Sequence, residues 1–289
     1  MAMEIQDTKP RHPIPLDWVG FRGVRRRVVI ESPQGPIGLD LDLDILIGIE
    51  GDRRGAHLSR NIEAVREALE PPSRAPSLEE YLESIARSLL DRHEYATRAS
   101  VRARTRYYVE VEYHDLQGEE PVDVEVGVHI SRNGERRWSV AVKVRGMTVC
   151  PSAQATIASM LGVQAGPAPS HSQKALLTGR IETMGKLVRI EDIARELFNS
   201  FSAPAMTLLK RSQEARLILE AHSSPRFVED LVREAVARLE ELLARRGVER
   251  AVIEVEAVSL ESIHPHDVYA YKRSVVGSGA EDQPLTQPS

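Results

Sequence analysis

Alternating apolar and polar positions open the chain. Val19–Glu31 and Gly38–Glu50 each place every second side chain on one face, and Ser32-Pro33-Gln34-Gly35-Pro36 between them predicts a hairpin. The period then changes from two to that of a helix. Two helices are expected, from about Leu58 to Leu69 and from about Ser77 to His93, separated by Pro71-Pro72; Ser77 followed by Glu80 has the spacing of a capping box. Alternation returns at Arg98–Tyr113, clearest in RARTRYYVEVEY, and at Val122–Ile130. The predicted order is ββααββ.

The same order recurs. Strands are expected at about Arg136–Val149 and Lys174–Thr183, helices at about Ile190–Asn199 and Pro225–Arg246, and strands at Val252–Val258 and about Asp267–Lys272. The long helix places Phe227, Val228, Leu231, Val232, Ala235, Leu239 and Leu242 at helical spacing for burial. The expected class is therefore α+β: a first module over residues 1–132 including an N-terminal extension, a second over 133–274, and a polar tail, 275–289, rich in Gly and Pro and expected to be disordered. Each module would be an antiparallel sheet with helices on one face. The other face and the open edges would need a partner, which predicts a homo-oligomer, dimer or tetramer.

Composition narrows the class. With 289 residues and 42% hydrophobic content the chain can fill two modest cores. Its net charge of −5, without a separate basic arm, argues against nucleic acid as a partner. No window approaches a membrane span, and the N-terminus has no apolar leader. A single cysteine, Cys150, excludes an internal disulfide and suits a reducing, cytoplasmic setting.

Candidate chemistry is scattered. Cys150 ends a strand and precedes Pro151; a buried structural cysteine is the reading the residues alone favour. His171 lies in a loop just before a strand, where a histidine is ordinarily solvated. Glu261-Ser262-Ile263-His264-Pro265-His266-Asp267 joins two strands and reads equally as a polar turn or a ligand cluster. Thiolate, imidazole and carboxylate together suit zinc or ferrous iron, and an open position there would activate a water. Gly55-Ala56-His57-Leu58-Ser59-Arg60 opens a helix and reads either as a capping turn or as a phosphate site.

Six separated segments, in order, resemble one family: GAHLSRNIEA from Gly55, TVCPSAQ from Thr148, SHSQK from Ser170, LLKRSQE from Leu208, SPRFVEDLVRE from Ser224 and ESIHPHD from Glu261. The family is that of the archaeal-type GTP cyclohydrolases (GTP cyclohydrolase IV) and their bacterial type IB relatives. The resemblance implies two tandem tunnelling-fold modules and a metal-dependent hydrolysis of GTP. It assigns Cys150, His171, Glu261 and His264 to the metal, with Cys150, His171 and His264 catalytic. The metal would be Fe2+, with Zn2+ or Mn2+ as alternatives.

By the same resemblance Glu229 anchors the guanine edge, and Glu214 is an acid at the metal or substrate. Gln173 and Lys174 border the substrate, and His57, Ser59 and Arg60 hold ribose or phosphates across a subunit interface. The implied product is 7,8-dihydroneopterin 2′,3′-cyclic phosphate, with formate and diphosphate, at the start of methanopterin-type pterin synthesis. Alternatives are the dihydroneopterin triphosphate, another tunnelling-fold enzyme acting on a pterin or purine, or a non-catalytic purine-binding protein. Two departures bear on affinity: Ser152 stands where the family commonly has a second cysteine, and Lys174 where it commonly has arginine.

Overall fold

The computed structural model describes residues 4–32, 35–68, 75–114, 116–164 and 168–277. It divides into two compact units. One comprises residues 1–107, 123–140 and 184–187, and the other comprises 108–122, 141–183 and 188–289.

The first unit begins with a 3-10 turn, Ile5–Asp7, and the hairpin β1 (Leu16–Ser32) and β2 (Gly35–Ile49). Helices α1 (Ser59–Glu67) and α2 (Leu78–Arg92) follow, and then β3 (Arg98–Tyr113) and β4 (Leu116–Ser131), whose first-unit parts continue the strand order β1-β2-β3-β4. The pairing of β1 with β2 and of β2 with β3 is antiparallel. Leu39, Leu41, Leu43, Ile45 and Ile47 alternate along β2 as buried positions, and α2 buries Leu78, Leu82, Ile85 and Leu89 at helical spacing. Each such side chain contributes about 1.5–3 kcal/mol by leaving water. The Ser77 hydroxyl accepts the Glu80 N–H at 3.1 Å and starts α2 where the capping spacing predicts. Arg132 closes its other end: the guanidinium donates to the carbonyls of Leu90, His93 and Ala96 at 2.7–2.9 Å, groups left without helical partners.

A bulge in β1 between Phe21 and Val24 places Gly23 at φ 73° and turns its N–H onto the buried carboxylate of Asp44 at 3.1 Å. Arg104 donates to the same carboxylate at 3.0 Å, so the charge is both paired and hydrogen-bonded.

The second unit carries β5 (Arg136–Val149) from Ala141 on, α3 (Pro151–Leu161), β6 (Ser172–Met184) up to Thr183, α4 (Ile190–Phe198), the two-residue β7 (Ala203–Pro204), α5 (Arg211–Ser223), α6 (Val228–Arg245), β8 (Ala251–Ser259) and β9 (Val268–Val276). Strand order is β5-β6-β8-β9, with β7 beside β5 and antiparallel pairing of β6 with β8 and β8 with β9. Helices α4 and α6 pack together, and α6 lies on β8 and β9. At Gly179 of β6 an added Cβ would meet Leu197 at 2.9 Å and Leu239 at 3.2 Å, so the small residue lets both helices close on the strand.

The element order matches the sequence expectation except for α3, α5 and β7. Helix α3 was signalled by Pro151 at its first position, but its apolar residues do not form one stripe: only Gln154 and Ala158 are buried. Helix α5 likewise buries only Leu217 and Ala221. Phe227 is 43% exposed, contrary to its expected place in the buried face, because it is the N-cap of α6 and precedes the helical register. Strand β9 runs through Val276, pairing Val275 with Val252, two residues into the segment read as tail; the remainder of that tail from 278 lies outside the described residues.

Candidate active site

In the second unit, the ends of β5 and β8 and the start of β6 gather polar side chains. Cys150 follows β5 and caps α3, its sulfur accepting the Ala153 N–H at 3.4 Å. The Cys150 N–H donates to the His171 carbonyl at 3.2 Å, and the Ser170 hydroxyl donates to the Cys150 carbonyl at 2.7 Å. The cysteine and the histidine loop are thus registered by main chain on both sides of the thiol. Arg226, just before α6, donates its N–H to the carbonyl of Val149 at 3.0 Å, which ties the start of that helix to the same strand end.

A directional chain of hydrogen bonds orients His171. Its Nδ1 lies 2.9 Å from Gln173 Oε1, and Gln173 Nε2 donates to Thr148 Oγ1 at 3.0 Å. With Gln173 Nε2 donating to Thr148, Oε1 is the amide atom that faces His171 Nδ1 and accepts a proton carried there. Thr148 lies 3.4 Å from Ser259 Oγ, and Ser259 donates to Glu261 Oε1 at 2.9 Å. The other carboxylate oxygen of Glu261 is 3.9 Å from His171 Nδ1. Both side chains are largely buried, and in the Nδ1-protonated tautomer Nε2 has a free lone pair, suited to a metal or a proton.

The other expected residues stand apart. Gln173 is buried within the chain just described, while Lys174 is exposed. His264 is exposed and stacks on His266, ring centroids 5.3 Å apart, in the connection between β8 and β9. Glu229 lies exposed in the first turn of α6, and Glu214 is exposed in the first turn of α5.

The described structure does not gather Cys150, His171, Glu261 and His264 into a compact ligand trio. Among the described residues, the trio of His, Cys, Asp or Glu with ligand atoms all within 4.8 Å is Glu4, Asp7 and His57. There His57 Nδ1 is 2.8 Å from Glu4 and Nε2 is 3.1 Å from Asp7. The carboxylates sit at opposite ring nitrogens, and Asp7 also pairs with Arg53, so this is an ion-pair clamp rather than a cage around one cation.

His57, Ser59 and Arg60 belong to the first unit. Ser59 opens α1 and is exposed; His57 and Arg60 line a cleft of about 330 Å³ with Asp7, Arg53, Arg92, Glu94 and Tyr95. The residues that sequence reading missed are Thr148, Ser170 and Ser259 in the second unit and Arg53, His93 and Tyr95 in the first. Thr148 and Ser259 lie on strands, where a Thr or Ser facing a site has the same alternation as one facing solvent, so the pattern carried no signal for those two.

The chain matches the family described as type I GTP cyclohydrolase folE2 over residues 3–270. It is 57% identical over 275 residues to GTP cyclohydrolase MptA of Aeropyrum pernix, covering 95% of this chain and 96% of that protein. To GTP cyclohydrolase MptA of Methanococcoides burtonii it is 32% identical over 300 residues, covering 95% and 94%. Among solved structures it resembles uricase from Arthrobacter globiformis with a TM-score of 0.54 at 9% identity, covering 93% of this chain and 96% of that one. That likeness shows the fold alone, the tunnelling fold. With the match extending over nearly the whole sequence and a relative identical at more than half of the aligned positions, the chain belongs to the GTP cyclohydrolase family.

Proposed function

We propose that this chain is a metal-dependent GTP cyclohydrolase converting GTP to 7,8-dihydroneopterin 2′,3′-cyclic phosphate, formate and diphosphate, the first step of methanopterin-type pterin synthesis. The observation that carries this reading is the chain of bonds from His171 to Glu261, found in a member of this family beside its cysteine. The cyclic-phosphate product is favoured by the archaeal-type segments and by the identity to the Aeropyrum pernix relative.

The donors fit a divalent metal: a thiol, an imidazole whose Nδ1 is engaged by Gln173, and a carboxylate held by a serine. Cys150, His171, Glu261 and His264 would hold it, ferrous iron first, with Zn2+ or Mn2+ as alternatives. Bound there, the metal supplies a water acidic enough to attack a ring carbon near neutral pH.

Around that centre the chain's own groups divide the work. The Glu229 carboxylate accepts from the guanine ring N–H and amino group, which fixes the base by two hydrogen bonds. His57, Ser59 and Arg60 hold ribose or phosphate oxygens, Lys174 adds positive charge beside Gln173, and Glu214 meets the metal or substrate. Whichever of His264 and His171 is not bound to the metal moves protons as carbon C8 is hydrolysed and leaves as formate. The ribose carbons then rearrange and close on the freed amine with loss of water to form the dihydropterin ring, and the 2′-hydroxyl of the resulting side chain attacks the α-phosphorus and displaces diphosphate.

The chain assembles as a homo-oligomer in this reading. Met160 (80% exposed), Leu208 (85%) and Leu219 (71%) of the second unit are apolar surface that a second copy would cover. The cytoplasm agrees with the lone thiol, and no helix among the described residues is long and apolar enough to cross a membrane.

The test is anaerobic incubation of the purified chain with GTP and ferrous iron. Formate, diphosphate and a pterin fluorescent after oxidation are expected, with the cyclic phosphate identified by phosphorus NMR. A product retaining three phosphates would move the chain to the triphosphate-forming branch, and absence of formate would overturn the reading.

A further inference from the structure

The first unit contains a buried histidine that no assigned role uses. His93 ends α2, is fully buried, and bonds at both ring nitrogens: Nδ1 to the Tyr95 hydroxyl at 2.8 Å and Nε2 to Asn61 Oδ1 at 2.8 Å. Asn61 donates its amide to the Ile45 carbonyl at 3.2 Å, which turns its oxygen to His93 and makes Nε2 the protonated nitrogen. Nδ1 is then an acceptor, so the Tyr95 O–H donates to it. The lone pairs of that same hydroxyl face the loop, where it accepts the His57 N–H at 3.0 Å. The sequence of bonds runs one way, from the backbone of His57 through Tyr95, His93 and Asn61 to the carbonyl of Ile45 in the core strand β2.

Two further contacts join the same segments. Arg60 Nη1 donates to the carbonyl of Arg92 at 2.9 Å, and the Arg53 guanidinium lies 3.9 Å over the Tyr95 ring. The loop from Arg53 to Arg60 is thereby held at three points by the four residues Arg92–Tyr95. The ring nitrogens of His57 meet the carboxylates of Glu4 and Asp7 at 2.8 and 3.1 Å, and Asp7 also pairs with Arg53, so anionic oxygens already sit against this loop. Burial, reinforced by Arg60, His57 and Arg92, pushes the His93 pKa down to about 4, so the ring is neutral and the direction of the chain is preserved at neutral pH.

We propose that Tyr95 and His93 are positioning residues that hold the His57–Arg60 loop in the geometry that binds the polyphosphate of the substrate. This rests on reading His57 and Arg60 as phosphate ligands. Neither positioning residue needs to touch the substrate; each fixes the backbone that does.

The test uses the full-length protein loaded with ferrous iron and three variants: Tyr95→Phe, His93→Gln and Arg60→Ala. Gln at 93 retains a donor toward Asn61 but lacks the acceptor for Tyr95. For Tyr95→Phe and His93→Gln, kcat and KM for GTP and inhibition by guanosine are measured; for all three variants, calorimetric binding of inorganic tripolyphosphate and the thermal midpoint. Tyr95→Phe and His93→Gln are expected to raise both KM and the tripolyphosphate Kd by about three- to tenfold, the worth of one hydrogen bond. Values of kcat and guanosine inhibition should stay as in the parent. If Arg60→Ala weakens tripolyphosphate but Tyr95→Phe does not, the positioning role is wrong while the phosphate reading stands. If Arg60→Ala also leaves tripolyphosphate binding unchanged, the phosphate reading fails and takes the proposal with it. A fall in kcat with KM unchanged in Tyr95→Phe would likewise overturn it. Should His93→Gln not fold, Tyr95→Phe, which removes one hydroxyl, decides alone.

Discussion

Gln173 Oε1 lies 2.9 Å from His171 Nδ1 while the amide nitrogen of Gln173 donates to Thr148 Oγ1, an arrangement that favours the imidazole tautomer with its proton on Nδ1. A residue expected to border the substrate thus has a second task, that of setting which histidine nitrogen is available. Partners of this kind around metal-binding histidines typically contribute 10–100-fold to affinity or rate.

Gln173→Ala should therefore lower divalent-metal affinity by about tenfold or more, with the fold intact. Cys150→Ser should have a larger effect, because a soft thiolate is replaced by a neutral hydroxyl. Elemental analysis after anaerobic loading, with a competing chelator to rank affinities, measures both. Parent-level occupancy in Cys150→Ser would remove the cysteine from the ligand set.

Glu229→Gln should fold normally, since the side chain is exposed in the first turn of α6, and should lose guanine recognition. In the proposed site the amide would present a donor where the carboxylate would accept two hydrogen bonds from guanine, a mismatch worth on the order of 1–3 kcal/mol. A fall of about tenfold or more in kcat/KM for GTP is expected; unchanged kinetics would take Glu229 out of the site.

Arg60 and Cys150 lie in different compact units, and the oligomer reading holds that residues of two chains complete each catalytic centre. Arg60→Ala and Cys150→Ser should each be inactive alone. Mixed under conditions that exchange subunits, they should recover part of the parent activity, because some interfaces then carry both wild-type halves. Mass spectrometry of the mixture establishes exchange, and exchange without recovery would mean that each centre draws on a single chain.

His129 and His93 set a pH dependence of stability. Burial, with Arg102, Arg137 and Arg98 nearby, pushes His129 down to about 4, and His93 is depressed to about the same value by burial and its own arginine neighbours. An unfolded histidine titrates near 6.5, so between about pH 6.5 and 4 the unfolded chain binds the extra protons. Their stabilisation is present above pH 6.5 and is lost as the pH falls toward 4. The midpoint of urea unfolding should drop from pH 7 to pH 5. His129→Phe should flatten that slope; an unchanged slope would place the titration elsewhere.

Local pattern carried much of this molecule. Period-two alternation marked the long strands β1 to β4, Ser77 with Glu80 marked the start of α2, and the helical stripe from Val228 to Leu242 marked α6, because each depends on residues a few positions apart. Helix α5 escaped that reading, since Ile218 and Leu219 point outward and the apolar stripe of a core-facing helix is missing. The segments around Cys150, His171 and Glu261 were legible as chemistry, but not the bonds among them. Tertiary structure alone decided that Thr148 and Ser259, 111 residues apart, link Gln173 to Glu261, and that His93 reaches His57 through Tyr95. Those relations depend on strand register and on the angle at which helices meet the sheet, which are set by the packing of the whole core rather than by any neighbour in sequence.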